Sequence, residues 1–282
     1  MIASIVKATG LTINTSRVIR RGAYNVIVEV NDEWVFRFPR PGSPRAHEQE
    51  RRRFIESFAK VSPLAVPRPI YVTDDFVGYR KIVGSHLSPT QIARLPNADK
   101  QRVAEQLGLF LAALHHHEDK AITFRTGWFP EAGSDPGDLC GFDQFLDASE
   151  RRKLEANLRA MRENPANNVE PTAIIHGDLW AGNILWDKAR RALTGIIDWS
   201  SVGRGIAAFD FISLADFTMN RNDRFLREVL RWYGGDDAFF EQIKEMAIVE
   251  VMNWYWCFSH RKDQKGMARA IKRLRRALSG RR

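Results

Sequence analysis

The stretch Ile174-Ile-His-Gly-Asp178-Leu-Trp-Ala-Gly-Asn183-Ile-Leu185, followed by Gly195-Ile-Ile-Asp198-Trp199, holds the densest chemical information in the chain. Apolar pairs flank the polar residues, Ile174-Ile175 before Asp178 and Ile184-Leu185 after Asn183, so the acid sits on a short loop held at both ends by strands. The run Leu193 to Ile197 is also strand-like and carries Asp198 to the end of a hairpin. Metal-assisted phosphoryl transfer to a hydroxyl needs one group to orient the attacking oxygen and hard oxygen donors for Mg2+. Asp178, Asn183 and Asp198 can supply that set. The competing reading is a plain hairpin with an Asp-Gly turn and a buried tryptophan.

The H-G-D-x-x-x-x-N spacing from His176 to Asn183, with the I-I-D-W segment ending at Trp199, resembles the signature of the aminoglycoside phosphotransferase family, which includes macrolide-kinase-like members. That resemblance implies an α+β, bilobal protein-kinase-like fold. Residues 1–84 would form a small β-rich, nucleotide-binding lobe and residues 85–282 a larger, mainly helical catalytic and acceptor-binding lobe, with a hinge at about 80–87. It implies Asp178 as catalytic base, Asn183 and Asp198 as ligands of Mg2+, and His176 as a structural residue. The phosphoryl donor would be ATP or GTP, and backbone contacts at a hinge do not discriminate the base.

Around this centre the first third reads as β-rich. Strands are expected over Thr12 to Arg20, Val26 to Val30 and Trp34 to Phe38, then a helix from about Arg45 to Lys60 and two strands within Ile70 to Val83. Arg21-Gly22-Ala-Tyr-Asn25 lies between two strands, where a kinase places its phosphate-covering loop, so Gly22 and Asn25 are nucleotide-binding candidates. A hairpin turn with no ligand would look the same. Trp34-Val-Phe-Arg37-Phe resembles the strand that carries the family's nucleotide-positioning lysine, with Arg37 in its place: a rigid fork replaces a point charge. Its acidic partner is expected on the next helix, at Glu48 or Glu50, with Glu50 preferred because it precedes Phe54 by one turn. By the same resemblance, the Arg80 carbonyl and the Ile82 N–H would hold the purine edge, between apolar walls that include Val35, Ile82 and Ile197.

Helices dominate later: Ala98 to His116, Phe209–Met219, Asp223–Tyr233, Ala238–Phe258 and Gly266–Leu278, with Gly127 to Gly141 as a loop. Asp210 reads either as a brace of the catalytic loop or as a helix N-cap. His115-His116-His117 point in different directions from a helix and make a poor chelate; they fit a helix C-terminus. Asp237, Glu241 and Glu245 could form an acidic strip, with Trp254 and Trp256 beside it, for a cationic small-molecule hydroxyl acceptor.

The chain of 282 residues is long enough for two lobes. It lacks a run of about 18 apolar residues, and its two cysteines, Cys140 and Cys257, suit a reducing cytoplasm. The net charge of +9 resides in the tail, since residues 260–282 hold ten Lys/Arg against one acid. Residues 129–259 hold 14 basic and 21 acidic side chains, a net of −7 that suits a cationic acceptor, whereas residues 1–60 hold 11 and 6, which suits a polyphosphate. The tail invites a nucleic-acid or membrane-surface reading. Met267, Ile271, Leu274 and Leu278 instead form one apolar stripe, which favours a docked terminal helix with solvated charges.

Overall fold

A computed structural model describes residues 1–20, 24–43, 46–126, 142–167, 172–215, 223–260 and 262–278. Gly22, Cys140 and the segment 127–141 lie outside them, as do the side chains of Glu250, Trp256 and Cys257.

The chain opens with helix α1 (Ile2–Thr9), which the sequence reading did not anticipate. It is short, and only Ile5 is fully buried, so its apolar signal is weak. Strands β1 (Ser16–Ile19), β2 (Asn25–Val30) and β3 (Trp34–Pro39) follow. After helix α2 (Glu48–Phe58), β4 (Tyr71–Val72) and β5 (Val77–Arg80) complete an antiparallel sheet ordered β1-β2-β3-β5-β4. Side-chain alternation gives this sheet two distinct faces. Val26, Val28, Val30, Trp34, Phe36 and Phe38 pack under Ile5 of α1, which leaves Ile27, Val35 and Arg37 on the opposite face.

β6 (Ser85–His86) leaves that sheet and pairs with a later strand, Ser85 opposite Trp186. Helices α3 (Pro89–Arg94), α4 (Asn97–His115) and α5 (Ala148–Glu163) follow. α3 and α5 had not been expected, yet each opens with a capping box, Ser88 with Gln91 and Asp147 with Glu150. Strands β7 (Ala173–Ile175), β8 (Ile184–Asp187), β9 (Ala192–Ile196) and β10 (Gly203–Gly205) carry the site, with β6-β8-β9 in one small sheet and β7 paired to β10. Helices α6 (Ala208–Ala215), α7 (Asp223–Tyr233), α8 (Asp237–His260) and α9 (Gln264–Leu278) complete the chain. The whole is a kinase-like fold with a β-sheet lobe and a helical lobe.

α2 packs on the helical lobe. Its Phe54 and Phe58 stack at 5.6 Å, and Phe58 lies 5.6 Å from Trp199 and 5.9 Å from Phe110 of α4. All four rings are buried, and such burial contributes about 1.5–3 kcal/mol per ring. The helix therefore packs its aromatic stripe on the core of the helical lobe, directly behind the segment that bears Asp198.

Candidate active site

The loop between β7 and β8 is shaped by a glycine that cannot be replaced without strain. Gly177 adopts φ 75°, and a Cβ there would lie 2.4 Å from the Ser201 carbonyl oxygen. His176, fully buried, joins the two acidic segments. Its Nε2–H donates to the Ile197 carbonyl (3.1 Å), and its Nδ1 accepts from the Asp178 N–H (3.3 Å). Burial holds the imidazole below its ordinary range, so it is neutral in this tautomer and acts as a spacer. Asn183 adds a second link: its side-chain amide donates to the Asp178 carbonyl (2.8 Å) and to Asp178 Oδ2 (3.1 Å), while its backbone carbonyl accepts from the Ile197 N–H (2.9 Å). Asp178, Asn183 and Asp198 thus lie in one hydrogen-bonded frame.

Burial pushes the Asp178 carboxyl up to about 7, with further contributions from the charges of Asp198 and Asp210, against the opposing Asn183 hydrogen bond. A carboxylate poised there is suited to taking a proton near neutral pH. Burial would also raise Asp198, but the Arg37 charge and the Ser200 hydroxyl outweigh it and hold Asp198 below its ordinary value. Asp198 sits in the left-handed region (φ 61°, ψ 67°), which turns its carboxylate out of the β9 hairpin.

Asp210 braces this loop from below. It is 1% exposed and accepts from the backbone N–H groups of His176 (2.7 Å) and Gly177 (2.9 Å). The His115 ring meets it at 3.2 Å and, on its other nitrogen, meets the Tyr233 hydroxyl at 3.2 Å. The reading of His115 as a helix-end charge is thereby corrected: it is a buried link between α4, α6 and α7. Its position one turn after Leu111 on the apolar face of α4 was the signal. Among the described residues no cluster of His, Cys, Asp or Glu could hold a metal by its own spacing.

On the sheet side, Arg37 reaches Asp198 directly, Nη2 to Oδ1 at 2.9 Å. The preferred partner, Glu50, does not face it. Glu50 accepts from Thr123 (3.0 Å) and meets His47 (2.9 Å) instead. Because Phe54 and Phe58 turn toward the helical lobe, Glu50 on their stripe turns with them. Glu48, seven residues before Ile55 and so on its face, lines a cavity of about 290 Å³ together with Arg37, Arg51 and Trp199. Asn25 also lines it, while Gly22 lies outside the described residues. At the far end Arg80 pairs with Trp34 in the sheet register, and the Ile82 N–H meets no acceptor among the described residues. Val35, Ile82 and Ile197 are each only partly buried.

The family model for APH, a phosphotransferase enzyme family, matches residues 15–243. The chain belongs to this family. Among solved structures, this phosphotransferase is similar to the GDP and kanamycin complex of APH(2")-IIia, with 22% identity, a TM-score of 0.79 and coverage of 100% of this chain and 99% of that one. It is also similar to the streptomycin-ATP-APH(2")-IIa ternary complex (18%, TM-score 0.69, 98% and 95% covered). A third is macrolide 2'-phosphotransferase MphH from Brachybacterium faecium (17%, TM-score 0.66, 100% and 97% covered). No curated protein sequence matches the chain.

Asp237, Glu241 and Glu245, expected to form an acidic strip, lie one turn apart on α8, and each also has a local partner. Asp237 pairs with Arg227, Glu241 with Lys244, and Glu245 accepts from Asn164 at 2.8 Å. Trp254 lies under the Arg273 guanidinium at 4.7 Å. These groups are tied to their own helices and neighbours. No helix of the described residues is long and apolar enough to cross a membrane.

Proposed function

We propose that the chain transfers the γ-phosphoryl of ATP or GTP to a hydroxyl of a small amino-sugar molecule, of the aminoglycoside or macrolide antibiotic type. What carries this reading is the frame in which His176 and Asn183 tie Asp178 to the Asp198 segment. In the reaction Asp178 takes the proton of the acceptor hydroxyl, whose oxygen bonds the γ-phosphorus as the bond from that phosphorus to the bridging oxygen breaks, releasing nucleoside diphosphate. Arg37 holds phosphate oxygens with its fork. The hinge at about 80–87 separates the lobes and offers the Ile82 N–H to the base.

The donor set fits Mg2+. Asn183 spends its amide nitrogen on Asp178, which leaves its side-chain oxygen without a donor among the described residues, and Asp198 Oδ2 is likewise uncommitted. When bound there, Mg2+ would neutralise charge developing on the transferred group. The Arg37–Asp198 pair favours a second reading, a nucleotide-binding module without turnover. Incubation with ATP or GTP and kanamycin, streptomycin, a macrolide or an amino alcohol, read by product mass, separates the two. A gain of one phosphoryl group on an antibiotic supports the first, and nucleotide binding without any phosphorylated product supports the second.

A further inference from the structure

One aromatic side chain, two residues after the base, stands half in solvent. Trp180 is 49% exposed, whereas Trp34, Trp186 and Trp199 are 5%, 5% and 2% exposed. It makes no hydrogen bond through its indole and no ring contact with a described residue. Its backbone, in contrast, is fixed by the site itself. The Trp180 N–H donates to the Asp178 carbonyl (3.1 Å), and its carbonyl accepts from the Asn183 N–H (2.8 Å). Its neighbour Leu179 points inward, 2% exposed, so the loop sends one apolar side chain to the core and the next to the solvent.

The ring is also positioned. A Cβ on Gly182 would lie 2.3 to 2.8 Å from three atoms of its benzo edge, so the indole rests on bare glycine backbone and leaves its other face open. The exposed part of the indole is a flat, rigid, apolar surface of the kind on which a ring-shaped ligand stacks. The nucleotide does not compete for this place in the proposed arrangement, since its base end faces Ile82 and its phosphate end faces Arg37. The group that must come to Asp178 from the open side is the acceptor.

We infer that the Trp180 indole is the acceptor platform: the apolar C–H face of an amino-sugar ring stacks on it, which sets one ring hydroxyl against Asp178. This inference rests on the phosphotransferase reading above. It places recognition on the catalytic loop, where the acids of α8 are already paired.

The test uses the full-length protein with bound ADP and compares Trp180→Phe, which keeps an aromatic face, with Trp180→Leu, which fills space without one. Kanamycin is the probe, and spermidine controls for charge alone. Kanamycin affinity should fall roughly tenfold or more in the leucine variant and stay within about threefold in the phenylalanine variant. Spermidine and ADP affinities should be the same in all three proteins. Equal kanamycin binding by the leucine and phenylalanine variants overturns the platform, as does a wild-type protein that binds no kanamycin, or joint loss of kanamycin and ADP in both variants. Kanamycin held through Trp180 but never phosphorylated sinks the transfer reading and leaves the platform standing. Phosphorylation at an unchanged KM in the leucine variant does the reverse.

Discussion

Asp178 is held in surroundings that favour its protonated form. Its carboxyl titrates at about 7 in the folded protein against an ordinary 3.8, because burial and the charges of Asp198 and Asp210 disfavour the ion. The folded protein therefore keeps a proton that the unfolded chain releases between about pH 4 and 7, so this group's contribution to stability is lost as pH rises through that window. Asp178→Asn should raise the melting temperature clearly more at pH 8 than at pH 5. A shift of equal size at both values would disprove the account of the carboxyl's environment. Gly177 sets a second residue-level demand: Gly177→Ala must either leave the left-handed region or drive its methyl into Ser201. That variant should lose about 2–4 kcal/mol of stability in denaturant unfolding, together with most of any turnover. The spacing of Asp178, Asn183 and Asp198 made this centre readable before any coordinates, since short strands on either side leave a loop few conformations. Glu50 was misassigned because helical spacing identifies a face without saying what that face meets. Trp180 stood in the quoted stretch unremarked, for a tryptophan's identity does not tell whether it points in or out.

At the scale of elements, long helices with a continuous apolar stripe were legible. α7 begins and ends where the sequence placed it, at Asp223 and Tyr233. α5 was missed although Leu154, Leu158 and Met161 recur at helical spacing, because charged residues dilute them; the Asp147–Glu150 capping box was the better signal. α9 docks by the stripe read from the tail. Leu274 is fully buried and Leu278 is 6% exposed against a cluster that includes Leu154 of α5 and Tyr255 of α8. Leu274→Ala should therefore cost about 2–5 kcal/mol in chemical unfolding, as cavity formation in a packed core does. A neutral effect would reopen the reading of the tail as a free basic arm. α2 is the element whose role could not be read locally. Its Phe54 and Phe58 meet Trp199 and Phe110, contacts set by residues over fifty positions away.

Across the whole molecule, the sheet offers Arg37, the helical lobe offers Asp178, Asn183 and Asp198, and the Arg37–Asp198 ion pair joins the two. The segment-by-segment charge remains a guide to field alone: the acids of residues 129–259 give a net of −7, yet those of α8 that were singled out are paired. What decides function at this scale is whether the assembled frame moves a proton while the nucleotide is held elsewhere. The most direct measurement compares wild type with Asp178→Asn for Mg-nucleotide affinity by calorimetry and for acceptor phosphorylation under saturating nucleotide. The account predicts nucleotide affinity within about threefold and turnover reduced by about 10²–10⁴-fold, the range for loss of a general base. Near-normal turnover in that variant would contradict the assignment of Asp178.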